Sequence, residues 1–143
     1  MDHYTNILVA VDGSDTSKAA LARAIDVAKR NGATLNIVNI IDTRPWASIE
    51  AHNKEKVELD AAKFAESLLD SYDDAARAGI EHIEIITEAG SPRTIITKDI
   101  APRIGADLII CGATGVTATE RLLLGSVSES IVRTAPCDTL VVR

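Results

Sequence analysis

The sequence predicts an α/β fold in which helices cover both faces of a parallel β-sheet. Five short aliphatic runs alternate with segments whose apolar residues recur every three or four positions, which is typical of strands alternating with helices. The first and fourth runs are almost continuously apolar, as expected for strands buried on both faces of a parallel sheet. Such alternation implies βαβ crossovers, which place helices on both faces. The candidate strands are Ile7 to Val11, Leu35 to Ile41, Ile83 to Thr87, Leu108 to Cys111 and Thr139 to Val142.

The first two helices are predicted from the spacing of their apolar residues. In the first helix these residues have the i, i+3, i+4, i+7 pattern of one buried face, and Asn31-Gly32 is a typical stop signal. They are Leu21, Ala24, Ile25 and Ala28. The second helix is longer and is predicted to end at Gly79. Its inner face is predicted to contain Ala61, Ala65, Leu68, Leu69, Tyr72 and Ala76.

The stretch from Asp42 to Lys56 gives the weakest structural prediction. Pro45 indicates a loop there. Trp46 is expected either to act as a partly exposed lid or to cover the end of the sheet, and the sequence favours neither interpretation.

The third helix is predicted to start at Ser91 as N-cap, with Pro92 in the first helical position. Its inner stripe is predicted to consist of Ile96, Ile100 and Ile104. Because proline cannot donate a backbone hydrogen bond, Pro102 predicts a kink or an early end of this helix.

The last helix is predicted to open with a capping box formed by Ser126 and Glu129. In that arrangement Val127, Ile131 and Val132 are expected to pack inward.

Length and composition indicate one globular domain spanning residues 1–143. The chain is 46% hydrophobic and 25% charged, which argues against a disordered or fibrous protein. Its net charge of -6 disfavours nonspecific binding to nucleic acid or to an anionic membrane. A small anionic ligand is not excluded, because such a ligand responds to the local field rather than to the net charge.

The cysteines and the N-terminus lead us to expect a cytoplasmic protein. Cys111 and Cys137 form no CxxC motif and suggest a reducing compartment rather than a disulfide framework. The first residues lack the basic start and apolar run of a signal peptide, and no apolar stretch is long enough to span a bilayer.

The segments after the first and fourth strands are the candidate binding site. In an open α/β sheet, ligands bind at the carboxyl ends of the strands, where the strand order reverses. The first strand is followed by Asp12-Gly13-Ser14-Asp15, and the fourth opens a Gly-x2-Gly-x9-Gly-Ser pattern made by Gly112, Gly115, Gly125 and Ser126. Glycines let backbone N–H groups approach an anion, and a helix starting at Ser126 would favour phosphate.

The pattern therefore predicts a phosphate cradle built from backbone groups. It contains neither a Walker loop nor a G-x-G-x-x-G fingerprint. The structural alternative is that the glycines form turns and the Gly-Ser pair only caps a helix, and both interpretations can hold together.

Four stretches of the chain resemble the universal stress protein family, in its ATP-binding branch. The resemblance covers essentially the whole chain, and the glycine spacing is specific to the nucleotide-binding members. The stretches are Ile7 to Ser14, Ala106 to Gly112, Leu122 to Glu129, and Ala135-Pro136-Cys137 followed by Leu140-Val141-Val142.

The resemblance implies a Rossmann-like fold of the adenine nucleotide alpha-hydrolase type. Its five parallel strands have the order 3-2-1-4-5, with the switch point between strands one and four. The implied ligand is ATP, or AMP or ADP, with Mg²⁺. Asp12 would lie near the ribose or the metal, Ile40 would offer backbone groups to the adenine, and Ala10 would line the adenine pocket. Phosphate and ribose contacts would come from Gly112, Ala113, Thr114, Gly115, Val116, Gly125, Ser126, Val127 and Ser128.

Two positions depart from the family pattern. Thr114 and Val116 stand where relatives often carry a basic or imidazole side chain. Loss of that charge is expected to weaken triphosphate binding or to favour a less charged nucleotide. Arg121 either compensates for the loss or is a solvated surface residue.

The sequence predicts a binding protein rather than an enzyme, with at most slow ATP hydrolysis. None of the three histidines, His3, His52 and His82, follows the first or fourth strand. Asp12 is a lone carboxylate, and Cys111 lies within a predicted buried strand. No His/Cys cluster has metal-binding spacing.

A response-regulator receiver of similar topology does not fit the residues. It would need an aspartate after the third strand and a lysine after the fifth. The chain instead has Glu88-Ala89-Gly90 after the third strand and ends at Arg143.

The last aliphatic run, Thr139 to Arg143, is predicted to lie at a sheet edge. Exposed edges tend to be paired or covered. The resemblance implies a homodimer that pairs this strand across a two-fold axis, with a higher oligomer left open. A nucleotide-free dimeric interaction module, the other branch of the same family, remains the alternative function, and any further protein partner is unknown.

Overall fold

A computed structural model describes residues 3–42, 67–114 and 124–143, and these form a five-stranded sheet with helices on both faces. The strand order is β3-β2-β1-β4-β5, and every pairing is parallel. This confirms the predicted fold class and strand order, so the switch point lies between β1 and β4. The strands are β1 (Asn6–Ala10), β2 (Thr34–Asp42), β3 (Ile83–Gly90), β4 (Leu108–Gly112) and β5 (Asp138–Val142).

Within the described ranges, four helical segments connect or flank the strands. They are α1 (Asp15–Asn31), α2 (residues 67–77), α3 (Pro92–Ile95, Ile96–Ile100 and Ala101–Ile104 in succession) and α4 (Ser126–Thr134). Gly32 ends α1 in a left-handed conformation, with φ of 64°, as the Asn-Gly stop signal predicts. Across the described ranges, every helix is too short or too polar to cross a membrane.

The sheet separates two hydrophobic clusters. Successive side chains of a strand point to opposite faces, so Ile7 and Val9 of β1 pack towards α1 and α2, whereas Leu8 packs towards α3 and α4. All three are fully buried. The central position of β1 and β4 explains why their sequences are apolar at nearly every position.

The buried face of α2 differs from the predicted one. Leu68 and Ala75 are buried, whereas Leu69 is 64% and Tyr72 41% exposed, and Ala76 is exposed as well. The face of α2 that packs against the sheet carries Leu68 and Ala75, which are two helical turns apart. Ala61 and Ala65 lie outside the described residues, as does the predicted loop at Pro45-Trp46.

A π-helical turn in α3 accommodates Pro102. The turn spans Ile96–Ile100, and the backbone N–H of Ala101 donates to the carbonyl of Ile96, five residues back. The wider turn precedes the point at which proline lacks a donor, so the helix continues for one turn to Ile104. Ile96 and Ile100 are buried as predicted. Ser91 occupies the N-cap, although its side chain makes no capping hydrogen bond.

The predicted capping box of α4 is wrong. Gly125 is the N-cap, and Ser126 is already the first helical residue. The reason is a backbone hydrogen bond of 2.8 Å from the N–H of Gly125 to the carbonyl of Ala113, which fixes Gly125 in the extended conformation preceding the helix. Ile131 is buried as predicted, but Val132 is 47% exposed.

Candidate functional site

The segments that follow β1 and β4 meet at the switch point. The hydroxyl of Thr16, in the first turn of α1, donates to the carbonyl oxygen of Thr114 at 2.5 Å. The hydroxyl of Ser14 lies 3.4 Å from the same carbonyl. These contacts join residues about a hundred positions apart in the chain. The two segments singled out by sequence therefore form one local structure.

Asp12 has a structural role at the start of α1. One carboxylate oxygen, Oδ1, accepts hydrogen bonds from the backbone N–H of Ser14 at 2.9 Å and from its hydroxyl at 2.6 Å. Ser14 in turn caps α1 by accepting from the N–H of Ser17 at 3.2 Å. The Asp12 side chain is exposed, so its carboxylate also remains accessible to a ligand.

The first turn of α4 is attached to the end of β4. The carbonyl of Ala113 accepts from the N–H of Gly125 at 2.8 Å and from the hydroxyl of Ser128 at 2.9 Å. Ser128 is buried and also donates to the carbonyl of Gly125 at 3.0 Å. Gly125 has no side chain with which to cap the helix.

The N–H groups at the start of α4 therefore favour an anion. The first N–H groups of a helix have no partner within it, and the helix dipole is positive at this end. In α4 these groups belong to Ser126 and its neighbours, next to the segment that follows β4. Ser126 is exposed, so the first residue of the helix is accessible to solvent.

Gly112 is required by packing, which the sequence pattern did not reveal. A Cβ atom at this position would lie 2.5 Å from Oγ1 of Thr16 and 2.8 Å from the backbone nitrogen of Ser17. The end of β4 therefore approaches the first turn of α1 more closely than any other residue type allows. This requirement holds whether or not a ligand is bound.

Three predicted residues lie on one face of the sheet near the switch point. Ala10 of β1, Ile40 of β2 and Val127 of α4 are half-buried and pack against the cluster beneath α3 and α4. All three contribute to the hydrophobic cluster on the face of the sheet that α3 and α4 cover. A flat apolar ring would pack favourably against such side chains, and the start of α4 favours an anion.

The structure brings together some of the predicted site residues. Gly115, Val116 and Arg121 lie outside the described residues. Ala113 and Thr114 follow β4 as expected, whereas Gly112 is the last residue of the strand. Gly125 and Ser128, at the start of α4, donate hydrogen bonds to the carbonyl of Ala113. The contacts made by Thr16 were not predicted. No local pattern indicated them, because they join distant parts of the chain.

The described residues fit Mg²⁺ only as an ion that arrives with phosphate. Among them, no group of three His, Cys, Asp or Glu side chains could hold a metal. Asp12 offers a single exposed carboxylate. Mg²⁺ commonly uses one or two carboxylates and completes its octahedron with phosphate oxygens and water, so this donor set is consistent with that mode of binding.

Cys111 is not suited to nucleophilic chemistry. Its thiol lies in β4 and is 3% exposed. Burial raises the pKa of this thiol to about 11, so the thiolate is scarce near neutral pH. The cysteine belongs to the core, as its strand position predicts.

A groove of about 560 Å³ lies on the opposite face of the sheet, between α1 and α2. Its walls include Leu21 and Ile25 of α1 and Leu68 of α2. Gly13, from the segment that follows β1, and Ser17, at the start of α1, also line the groove. The groove therefore reaches the α1 side of the switch point.

Comparisons with known proteins connect this geometry to one family. The sequence model of the universal stress protein family matches residues 3–143. A provisionally named universal stress protein of Staphylococcus haemolyticus is 52% identical over 141 residues, covering 98% of this chain and 85% of the relative. A similarly named protein of Staphylococcus aureus strain USA300 is also 52% identical, covering 98% of this chain and 84% of its own length.

Solved structures show the same architecture. Universal stress protein UspA from Lactobacillus plantarum superposes with a TM-score of 0.89 at 29% identity, covering 100% of both chains. A universal stress protein in complex with cAMP superposes with a TM-score of 0.70 at 27% identity, covering 99% of this chain and 98% of the other.

Proposed function

Because the chain belongs to the universal stress protein family, we propose that it binds an adenine nucleotide, with ATP as the first candidate, between the ends of β1 and β4. The observation that carries this proposal is the open start of α4. Hydrogen bonds from Gly125 and Ser128 to the carbonyl of Ala113 attach it to the end of β4. A phosphate group there would accept from N–H groups that have no partner within the helix.

For the other parts of the nucleotide we propose the contacts that the family resemblance implies. The adenine would lie against Ala10 and Ile40, and the ribose near Asp12. Gly112, Ala113, Thr114, Gly115 and Val116 would border the phosphates on one side, with Gly125, Ser126, Val127 and Ser128 on the other. Mg²⁺ would bind the phosphates and Asp12. The cation would reduce repulsion between ATP and a chain whose net charge is -6.

The protein would act as a regulatory binding protein in the cytoplasm, with at most slow ATP hydrolysis. Asp12 already accepts two hydrogen bonds from Ser14, so it is better suited to hold the start of α1 or a cation than to remove a proton from water. The related structure described as a complex with cAMP supports adenine as the base. Thr114 and Val116 add no positive charge, so ADP and AMP are candidate ligands besides ATP.

Isothermal titration of the purified protein with ATP, in the presence and absence of Mg²⁺, tests the proposal. We expect saturable binding that Mg²⁺ strengthens. Parallel titrations with ADP, AMP and cAMP show how the affinity depends on the number of phosphates. Absence of heat and of thermal protection at millimolar ATP would exclude this function. The nucleotide released from freshly purified, denatured protein would identify the resident ligand.

One observation favours a second candidate, a nucleotide-free dimeric interaction module. Gly112 is explained by its close contact with Thr16 and Ser17, without any ligand. Part of the glycine pattern is therefore compatible with a purely structural role. The same titration separates the two functions, because this module would dimerise without binding nucleotide.

A further inference from the structure

We infer that Thr16 is a positioning residue for the proposed nucleotide site, acting through the backbone of Thr114. This inference rests on the proposed function. Thr16 lies in the first turn of α1, and the glycine pattern does not include it. Its role follows from where its hydroxyl is held and from what that hydroxyl binds.

The hydroxyl of Thr16 contacts both backbone groups of Thr114. It donates to the carbonyl oxygen at 2.5 Å and lies 3.4 Å from the backbone nitrogen. The hydroxyl of Ser14 also lies 3.4 Å from the carbonyl oxygen. The carbonyl is thus directed towards two hydroxyls at the start of α1. A carbonyl held in this way is kept from turning its negative end towards a phosphate.

The absence of a side chain at Gly112 permits this contact. Because a Cβ atom there would lie 2.5 Å from Oγ1 of Thr16, no other residue leaves the hydroxyl where it is. The close packing of β4 against α1 and the hydrogen bond to Thr114 therefore depend on one another. Gly112 therefore contributes to the proposed site indirectly, because its lack of a side chain leaves room for Thr16.

The preceding peptide group is held from the other side. The carbonyl of Ala113 accepts from Gly125 and Ser128 at the start of α4, and its N–H donates to the carbonyl of Val142 at 2.8 Å. Two consecutive carbonyls are thereby bound by different helices. Thr16 supplies the contact between Thr114 and α1, and Gly125 and Ser128 supply the contact between Ala113 and α4.

The test compares Thr16→Val, which removes the hydroxyl at nearly constant shape, with Thr16→Ser, which keeps it. Each variant is titrated with Mg-ATP and with adenosine, and its thermal unfolding is recorded. We expect Thr16→Val to bind ATP about tenfold more weakly, the size expected for loss of one hydrogen bond, and adenosine unchanged. Thr16→Ser should restore the ATP affinity. A merely destabilised protein would lose ATP and adenosine affinity together.

The outcomes separate this inference from the proposed function. A wild-type protein that binds no ATP overturns both. A wild-type protein that binds ATP, with Thr16→Val binding it equally well, overturns the positioning role alone. Equal losses for ATP and adenosine also overturn that role. If Thr16→Val does not fold, Thr16→Ala removes the same hydroxyl without adding bulk and undergoes the same pair of titrations.

Discussion

At the scale of single residues, Gly112 shows how one missing side chain shapes the switch point. Its importance is steric, because a Cβ atom would come within 2.7 Å of the carbonyl carbon of Thr16 and 2.8 Å of the nitrogen of Ser17. These are backbone atoms, so relief requires α1 to move away from β4. A helix displaced in this way would also lose the hydrogen bond from Thr16 to Thr114.

We expect Gly112→Ala to lower the free energy of unfolding by about 1–3 kcal/mol, the usual cost of overpacking. Urea unfolding measures the loss. Gly32→Ala is the matched control, since Gly32 has a φ of 64° with no atom near its missing Cβ, so its cost is conformational only. A Gly112→Ala protein as stable as wild type would contradict the close contact.

Ser126 allows charge to be tested separately from size. Ser126→Glu places a carboxylate at the start of α4, where the helix dipole favours it by about 0.3–1 kcal/mol, but where it would repel phosphate. We expect ATP affinity at least tenfold lower than in Ser126→Gln, with an unfolding temperature that is equal or higher. Calorimetry and thermal unfolding provide the two readouts. Equal ATP affinity in both variants would mean that phosphate binds elsewhere.

At the scale of elements, a polar network ties β1 to the segment that enters β4, at the end of the sheet opposite the proposed site. One carboxylate oxygen of Asp107 accepts from the N–H of Thr5 at 2.8 Å and from its hydroxyl at 3.0 Å, and the other accepts from the N–H of Asn6 at 3.1 Å. Partial burial raises the pKa of Asp107, but these hydrogen bonds outweigh burial and leave the pKa below its usual range.

This lowered pKa predicts a pH dependence of stability. The ionised Asp107 stabilises the fold above about pH 4, the ordinary pKa of an aspartate, and this contribution is lost as the pH falls through the lower pKa of the folded state. We expect Asp107→Asn to cost about 1–2 kcal/mol at pH 7 and much less at pH 2–3. Urea unfolding at both pH values provides the measurement.

Asp26→Asn is the control for this pH dependence, because the ion pair of Asp26 with Arg30 is exposed and contributes little. A cost for Asp107→Asn that did not change with pH would contradict the role of the charge.

Local sequence patterns predicted the elements, whereas contacts between elements were largely missed. The apolar runs of β1 and β4 indicated a parallel sheet, and the family resemblance implied its strand order. The buried face of α2 was predicted wrongly. The spacing of apolar residues does not show which of them contact the sheet, and Leu69 is apolar but exposed. The cap of α4 and the role of Thr16 depend on hydrogen bonds to the end of β4, and no local pattern encodes those.

At the scale of the whole molecule, β5 is an edge strand, as predicted. In a parallel ladder, alternate residues direct both backbone groups to the same side. Val142 directs its carbonyl towards Ala113, so Val141 and Thr139 direct their backbone groups to the free edge. This free edge supports the homodimer that the family resemblance implies, in which a second copy would pair with β5.

We expect Thr139→Pro to shift a wild-type dimer to monomer while the fold is retained, because proline removes an outward N–H and fits an edge strand. Sedimentation velocity at micromolar concentration provides the readout. Thr139→Val, which keeps the N–H, is the control. A wild-type protein that sediments only as a monomer would exclude the dimer, and a Thr139→Pro protein that dimerises normally would exclude pairing through β5.

Both α1 and α4 begin at the carboxyl end of the sheet, and the N–H groups of their first turns are satisfied differently. Ser14 accepts a hydrogen bond from Ser17 and so supplies α1 with an internal acceptor, whereas α4 begins at Gly125, which has none. An anion approaching α1 would have to displace the Ser14 hydroxyl, whose attachment to the chain gives it a high effective concentration. At α4 an anion would have no side-chain cap to displace. The Ser14 cap therefore disfavours anion binding at α1 and directs an anion to the start of α4.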